Sequence, residues 1–498
     1  MKKIYTILFV SLLFGGAFAQ PIQQTTIVSG LVYPVAFDVL PNGDFILTLK
    51  GSNSFPTTPG TALIRMYTAA GTLIGTYYDL SDSCNSDFER GLLGICVDPN
   101  YSTNNYIYAY YNHRLNNDER IRVVRFTTVG NVGTNPTIIF DLDVADNIPG
   151  NHVGGNIRMH AAEPDKIYIT IGDLALNQTN PPLNYAPMLN QPYGKILRVN
   201  TTGTLPNSIP VTNPYYDDGN PSTGNCDYIW SYGHRNPFDF CFSNVNDSIY
   251  SSENGLTTWD EVNQIHKGRH YGWANCEGFY LNSSTTNLCT VSVAVNPIED
   301  WGAPVPALTG IIHYSSSVFF SLTNHLLVAD NDYGRVYDIT LGNPPGYDQF
   351  VSRVQWADLT TSGGLTTLKQ GTDGCIYAMK GGYTTTGTIY RVCPQGMYVG
   401  ESLEQNYFLQ SVAPNPVNGN AQINFQLKKQ GNVKIVVTDI TGKIVADVLN
   451  ENKSAGDYSI PFSSSDYNLA EGTYFCTMNI AGDDGEEFSQ TIRMVIMN

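Results

Sequence analysis

The chain predicts an all-β protein, a six-bladed β-propeller followed by a small Ig-like β-sandwich. Three observations carry this. The 498 residues are poor in charge (14% Asp, Glu, Lys and Arg) but rich in Tyr (32), Gly (46) and Pro (27), which favours many short strands joined by tight turns over long helices. One short pattern recurs six times before Cys393. After Cys393-Pro394 the texture changes to a separate set of alternating segments.

In chain order, residues 1–19 read as a secretory signal peptide. Lys2 and Lys3 form its basic start, Ile7 to Phe18 is apolar, and Ala17-Phe18-Ala19 is a small-x-small cleavage site before Gln20. No later run is long enough to form a transmembrane segment. The formal net charge of −17 argues against nucleic acid or an anionic membrane as partner and is compatible with calcium.

The propeller is expected over residues 20–394. Each repeat has a small or polar start, an aromatic-aliphatic core and a polar stop: GDFILTLKG at Gly43, NYIYAYYNH at Asn105, DKIYITIGD at Asp165, DSIYSSENG at Asp247, NHLLVADND at Asn324 and GCIYAMKGG at Gly374. A second apolar segment follows each: ALIRMYT, RIRVVRFT, GKILRVN, DEVNQIHKG, GRVYDITL and GTIYRVC. Units lie about 66 residues apart, more than a compact four-stranded blade needs, so long loops join the strands. Pairing within blades leaves only short sheet edges.

Residues 395–406 read as a linker. From 407 to 498, segments such as SVAPNPVNGNAQINFQL, KIVVTDITGKIV and GTYFCTMNI alternate as strands, with Gly442 and Gly456 at turns, which suggests a small sandwich. It holds no cluster of titratable groups. Nine cysteines are present, and export permits disulfides. Connectivity is not readable from sequence, but two pairs are plausible. Cys375 and Cys393 lie equidistant from a turn near Thr384, and Cys276 and Cys289 bracket a polar loop.

The chemistry is densest from Tyr228 to Trp273. This stretch holds GHRNP with His234 and Arg235, an irregular SSENGL, the carboxylate-bearing DEVN and a closing YGW. A short segment ended by Pro237 suggests a loop, where functional groups collect. The stretch alone equally allows a buried arginine tied to a carboxylate.

Several segments, in order, resemble the soluble glucose/sorbosone (aldose sugar) dehydrogenases that use pyrroloquinoline quinone (PQQ). They are ERGLLGICVDPNY at Glu89, NHVGGNIRM at Asn151, KIYITIGD at Lys166, YGKILRVN at Tyr193, IPVTNPYYDDGNP at Ile209, IWSYGHRNPFDF at Ile229, DEVNQIHKGRHYGW at Asp260 and LTGIIHYSS at Leu308. The resemblance implies a six-bladed propeller that oxidises a sugar at its anomeric hydroxyl and passes electrons to an external acceptor. His152 matches the family's catalytic base, a task that suits a neutral histidine. Gly154 and Gly155 behind it would let backbone approach a planar cofactor. Asn151 stands where the family has an aspartate, able to orient His152 without supplying charge. Arg235 matches the arginine that stabilises charge on the reduced quinone. Glu89 stands at a glutamine position that contacts substrate or cofactor, and could instead pair with Arg90. The carbonyls of Gly255 and Leu256 match calcium ligands beside the quinone. Glu261 and the main chain of Tyr271 suggest a second calcium, unless Glu261 pairs with Lys267 or Arg269.

The chain departs from the pattern in two places. A family lysine falls where Asp332 and Tyr333 stand, and a family arginine pair falls near Gly364 to Thr367. Lys369, Lys380 or Arg335 could replace them. These losses motivate an alternative, a non-catalytic glycan- or protein-binding propeller of the hedgehog-interacting-protein-like type. A calcium-dependent hydrolase such as a lactonase would need several carboxylates and asparagines on one central metal, a set the motifs lack. APNPVNGNAQINF, VTDITGKIV, SAGDYSI and LAEGTYFC resemble a type A sorting domain of the type IX secretion system. That likeness implies transport across the outer membrane by this machinery, to a secreted or surface-attached state.

Overall fold

A computed structural model describes residues 21–115, 118–144, 149–176, 183–342, 346–395, 407–439, 442–482 and 487–497. The expected signal peptide, and the expected linker apart from Gln395, lie outside the described residues. No helix among those described is long and apolar enough to cross a membrane.

Between Ile22 and Pro394 the chain forms six four-stranded antiparallel sheets. Their first strands are Pro34–Val39, Leu92–Val97, Ile157–His160, Pro237–Phe242, Leu308–Tyr314 and Leu365–Gln370. The six repeated segments supply the second strand of each sheet, and the six apolar followers supply the third. Several second strands are buried along all or nearly all of their length, as in Phe45–Leu49 and Ile376–Lys380. A strand covered on both faces has no solvent side, so its sequence runs continuously apolar instead of alternating. Outer strands such as Gln349–Asp358 are mostly exposed.

The sixth sheet takes its outer strand from the start of the chain. Ile22–Leu31 pairs antiparallel with Gly387–Pro394 and joins the two ends of this region. Six apolar cores lie between consecutive sheets, including one between the sixth and the first. This cyclic packing is consistent with a β-propeller. Each sheet is also tied to the next by a buried polar bridge. The Thr48 hydroxyl donates to Leu93 O at 2.9 Å, Tyr110 to Val153 O at 3.0 Å, Thr309 to Leu365 O at 2.8 Å and Thr367 to Val35 O at 2.8 Å. Ser252 donates to Thr309 O, and Arg158 of the third sheet donates to both oxygens of Asp239 in the fourth at 2.7 Å.

Both expected disulfides are present. Cys375 and Cys393 face each other across the hairpin of the sixth sheet, and Cys276–Cys289 closes the loop after His270. The other five cysteines are buried thiols. The C-terminal strands join into one seven-stranded sheet around a single core. Tyr407–Asn418 links its halves, pairing antiparallel with Asn420–Leu427 and, past the Pro414–Pro416 segment, parallel with Glu487–Met497. A sequence of alternating strands does not show this connection, because one strand changes partner midway.

Asp239 is fully buried, and its oxygens also accept from Asn156 Nδ2 and the Ile311 amide. Asp239→Ala leaves the Arg158 guanidinium buried without its anion and is expected to cost ~3–5 kcal/mol. The urea midpoint should fall with an unchanged slope. A loss below ~1 kcal/mol would contradict this role.

Candidate active site

His152 follows Asn151 in an irregular segment just before the third sheet and has φ +54°. A non-glycine residue there stores strain unless its surroundings hold it. The Glu89 carboxylate does so, accepting the His152 amide at 2.6 Å and the Asn151 side-chain amide at 3.2 Å. Glu89 therefore binds this turn. Its neighbour Arg90 pairs with Asp87 and Glu119.

The imidazole lies between a carboxylate and a guanidinium. Its Nδ1 is 2.7 Å from Asp173 Oδ1, and its Nε2 is 3.0 Å from Arg235 Nη2. A guanidinium only donates, so Nε2 is the acceptor there and the ring proton sits on Nδ1, donated to Asp173. Asn151 bonds to Glu89 and not to the ring, so the fixed charge beside His152 comes from Asp173. That residue ends KIYITIGD. It is fully buried and also accepts from Trp273 Nε1 at 2.7 Å, Asn184 Nδ2 at 3.2 Å and the Ala175 amide at 2.8 Å. Its own amide donates to Arg235 O at 2.7 Å. Gly172 makes this convergence sterically possible, because a Cβ there would meet His152 O at 2.2 Å and Arg235 O at 3.0 Å.

Arg235 donates to Asn254 O at 3.0 Å, and its guanidinium lies 5.5 Å from the Trp273 ring centroid. Burial lowers its pKa against the opposing charges of Asp173, Glu277 and Glu89; an arginine still stays protonated. His234, beside it in sequence, is structural. It is fully buried, bonded to Ser231 and Glu253 and stacked on Tyr271, and burial pushes its pKa down to about 3.

Gly255 and Leu256 lie in a segment held by acids through its amides. Asp260 accepts the Gly255 amide, and a single oxygen of Glu277 accepts the amides of Leu256, Thr257, Thr258 and Trp259 at 2.6–3.2 Å. Glu261 accepts from Asn263 and the Gly278 amide. Burial raises the pKa values of Glu253 and Glu261 and brings Asp260 to about 6. So many buried acids suit a cation. The Tyr271 hydroxyl accepts the His266 amide and donates to Gln264 O.

A cavity of about 730 Å³ is lined by first-strand residues of five sheets and by Val153 to Asn156, just before the first strand of the third sheet. Its wall includes Glu89, Gly154, Asn236, Asn254, Lys50 and Lys380. His152 and Arg235 do not line it, but their chain neighbours Val153 and Asn236 do. Gly154 and Gly155 lie in the cavity wall and are also required by packing. A Cβ on either would strike Thr170 O or Leu93, so protein packing already excludes one.

Residues 31–391 match the family described as Glucose / Sorbosone dehydrogenase. The chain belongs to the glucose/sorbosone dehydrogenase family. Residues 411–493 match the Secretion system C-terminal sorting domain. The chain is 27% identical over 306 residues to quinoprotein glucose dehydrogenase B of Acinetobacter calcoaceticus, covering 57% of this chain and 58% of that protein, less than two thirds of its length. Among solved structures, the apo form of the soluble aldose sugar dehydrogenase of Escherichia coli superposes with a TM-score of 0.62 at 21% identity, over 75% of this chain and 100% of that one. The PQQ-bound aldose sugar dehydrogenase of Streptomyces coelicolor gives 0.53 at 22%, over 75% and 100%. At these identities the likeness shows the fold.

In this member of the glucose/sorbosone dehydrogenase family, Asp332, Gly364, Thr366 and Thr367, the positions where the resemblance places cations, form part of the cavity wall. Of the three possible replacements, Lys369 is bound to Asp38 and Arg335 pairs with Asp358. Lys380 reaches the wall, passing over Gly364, where a Cβ would come within 3.3 Å of its Cγ. Lys50 is a second cation that sequence reasoning missed. It donates to Ser86 O and Asn53 Oδ1 and lies 5.2 Å from the Tyr383 ring centroid. Asp173, Glu277 and Trp273 are not evident from sequence reasoning either, although Asp173 closes KIYITIGD and Trp273 closes YGW.

Burial lowers the Lys50 pKa to about 8, against the charges of Cys84, Asp87 and Glu89. The ammonium is therefore present below that pH and lost above it. Binding of a small polycarboxylate such as citrate, followed by calorimetry, should weaken as pH rises from 6.5 to 9.5. Lys50→Met should be weaker by about tenfold at pH 6.5 and lose that pH step. Equal affinities across this range would show that Lys50 does not meet the ligand.

Proposed function

We propose that the chain is an exported, PQQ- and calcium-dependent oxidoreductase that oxidises a sugar at its anomeric hydroxyl and delivers the electrons to an external acceptor. In this reading the six sheets are the six blades of a propeller spanning residues 20–394, and residues 407–498 are an Ig-like sorting domain for the type IX secretion machinery. That domain would take the protein to the cell surface or the medium.

The observation that carries the proposal is the Asp173–His152–Arg235 chain beside a cavity bearing two lysines. The cavity suits an anionic, polar-edged ligand. Lys50 and Lys380 would face carboxylates, and Asn236 Oδ1 and Thr366 Oγ1 are buried polar atoms of the wall without hydrogen-bond partners. The two lysines favour this reading over the non-catalytic alternative, which rests on missing cations, although Lys380 Nζ also donates to Ser362 Oγ at 2.7 Å. The carbonyls of Gly255 and Leu256 would hold calcium beside the cofactor, and Glu261 with the main chain of Tyr271 would hold a second ion. Bound PQQ would supply an electrophilic carbon to accept hydride.

The rest of the work falls to the protein's own groups. His152 Nε2 carries the lone pair, and a substrate hydroxyl that displaces the Arg235 N–H from it would give up its proton there. The resulting imidazolium is balanced by Asp173, already bonded through Nδ1. Arg235, released from the ring, would then stabilise negative charge forming next to it.

Purified protein mixed with calcium, PQQ, an aldose panel and an artificial electron acceptor should reduce the acceptor only when cofactor and sugar are both present. His152→Ala should abolish this with an unchanged circular dichroism spectrum. Asp173→Asn should lower kcat by ~10²–10⁴-fold. Absence of acceptor reduction together with absence of PQQ-dependent thermal stabilisation would overturn the proposal.

A further inference from the structure

The loop Asp217–Asp227, DDGNPSTGNCD, has no part in the proposed reaction. It precedes the strand Ile229–Tyr232, the outer strand of the third sheet. Carboxylate oxygens of Asp217, Asp218 and Asp227 lie within 4.8 Å of one another. Oxygens that share one calcium ion at 2.3–2.6 Å are at most ~5 Å apart, so the three groups are spaced for a common ion.

Asp227 points to an ion independently of that spacing. It is 0% exposed, although the loop around it is mostly open to solvent. Its Oδ1 accepts the Asp217 amide at 2.7 Å and the Gly219 amide lies close to the carboxylate, but its Oδ2 is buried without a well-formed hydrogen bond. Buried carboxylate oxygens are normally satisfied, and leaving one bare is costly. Arg198, which anchors this segment, gives its guanidinium to Glu163, Thr212 and Asn213 and not to these acids.

We propose that Asp217, Asp218 and Asp227 form a calcium site in this loop, separate from the positions near the cavity. All the donors are hard oxygens, and an irregular loop can supply carbonyls and water to complete six to eight ligands, which favours calcium over zinc or a transition metal. Several of the acids' oxygens also accept one hydrogen bond from the loop, which orients them and leaves each a second lone pair for the ion. Asp217 Oδ2 accepts the Asn225 amide, and Asp218 accepts from the Asn220 amide and the Thr223 hydroxyl. The Asp227 carbonyl also accepts from Asn213 Nδ2 at 2.8 Å, and Cys226 donates to Leu189 O at 2.7 Å. The ion would thus fix the entry to the strand that continues through Gly233 and His234 to Arg235.

The test uses the full chain, stripped with EGTA and desalted, beside Asp217→Asn/Asp227→Asn and the exposed single variant Asp218→Asn. Bound calcium per chain is measured by atomic emission, and limited proteolysis maps cleavage within 217–227. Wild type should hold one calcium more than the double variant, and calcium should slow its loop cleavage about tenfold. Asp218→Asn should need more calcium for the same protection. In EGTA the double variant should melt at or above wild type, because like charges have been removed. Equal calcium counts with calcium-independent cleavage of the wild-type loop would overturn the site. So would a double variant that melts below wild type in EGTA and shows the same protection by calcium. None of these readouts depends on sugar oxidation.

Discussion

The site depends on one buried carboxylate. Asp173 accepts from His152, Trp273, Asn184 and the Ala175 amide, while its own amide holds the Arg235 carbonyl. A fully buried acid is tolerable only with such a set of donors. Because Arg235 cannot accept and Asp173 accepts, the two partners together impose one tautomer on His152. Base, cation and indole are therefore positioned by a single group at the end of one strand.

The sheets make that convergence possible. Each blade-like sheet hands a hydroxyl or a guanidinium to its neighbour, so the inner strands are locked in register around the cavity. Strand ends then deliver side chains to one place from distant parts of the sequence. Asp173 leaves the third sheet, Arg235 precedes the fourth, Lys50 follows a strand of the first and Lys380 ends a strand of the sixth. Buried carboxylates extend the arrangement. Glu277 gathers four amides of the segment at Leu256, and Glu253 accepts the Arg235 amide and the His234 ring. The fold thus supplies a fixed electrostatic environment before any ligand enters.

Much of this was legible in the sequence. The six repeats fell on the second strands because burial on both faces leaves a continuous apolar run, and the hairpin spacing of Cys375 and Cys393 matched their pairing. His152 and Arg235 stand out in their motifs, and the structure brings them into contact at 3.0 Å. The partners of each were harder to read. An aspartate at the end of ITIGD reads as a turn residue, and only the three-dimensional path brings it to a histidine twenty-one positions earlier. Lys50 reads as the polar stop of a repeat. Its approach to the cavity depends on Gly91, where a Cβ would come within 2.4 Å of the lysine side chain. The place of Lys380 in the wall is likewise spatial, since it enters from the neighbouring strand over Gly364.

The most direct test of this account is the protonation of His152. Nitrogen-15 spectra of histidine-labelled protein, assigned with His152→Gln, should show its Nδ1 protonated and its Nε2 bare near neutral pH. Asp173→Asn should disturb this pattern while leaving the His234 signals in place. A wild-type His152 with the proton on Nε2 would contradict the account, because Arg235 would then face a donor and the ring would have no lone pair directed at the proposed chemistry.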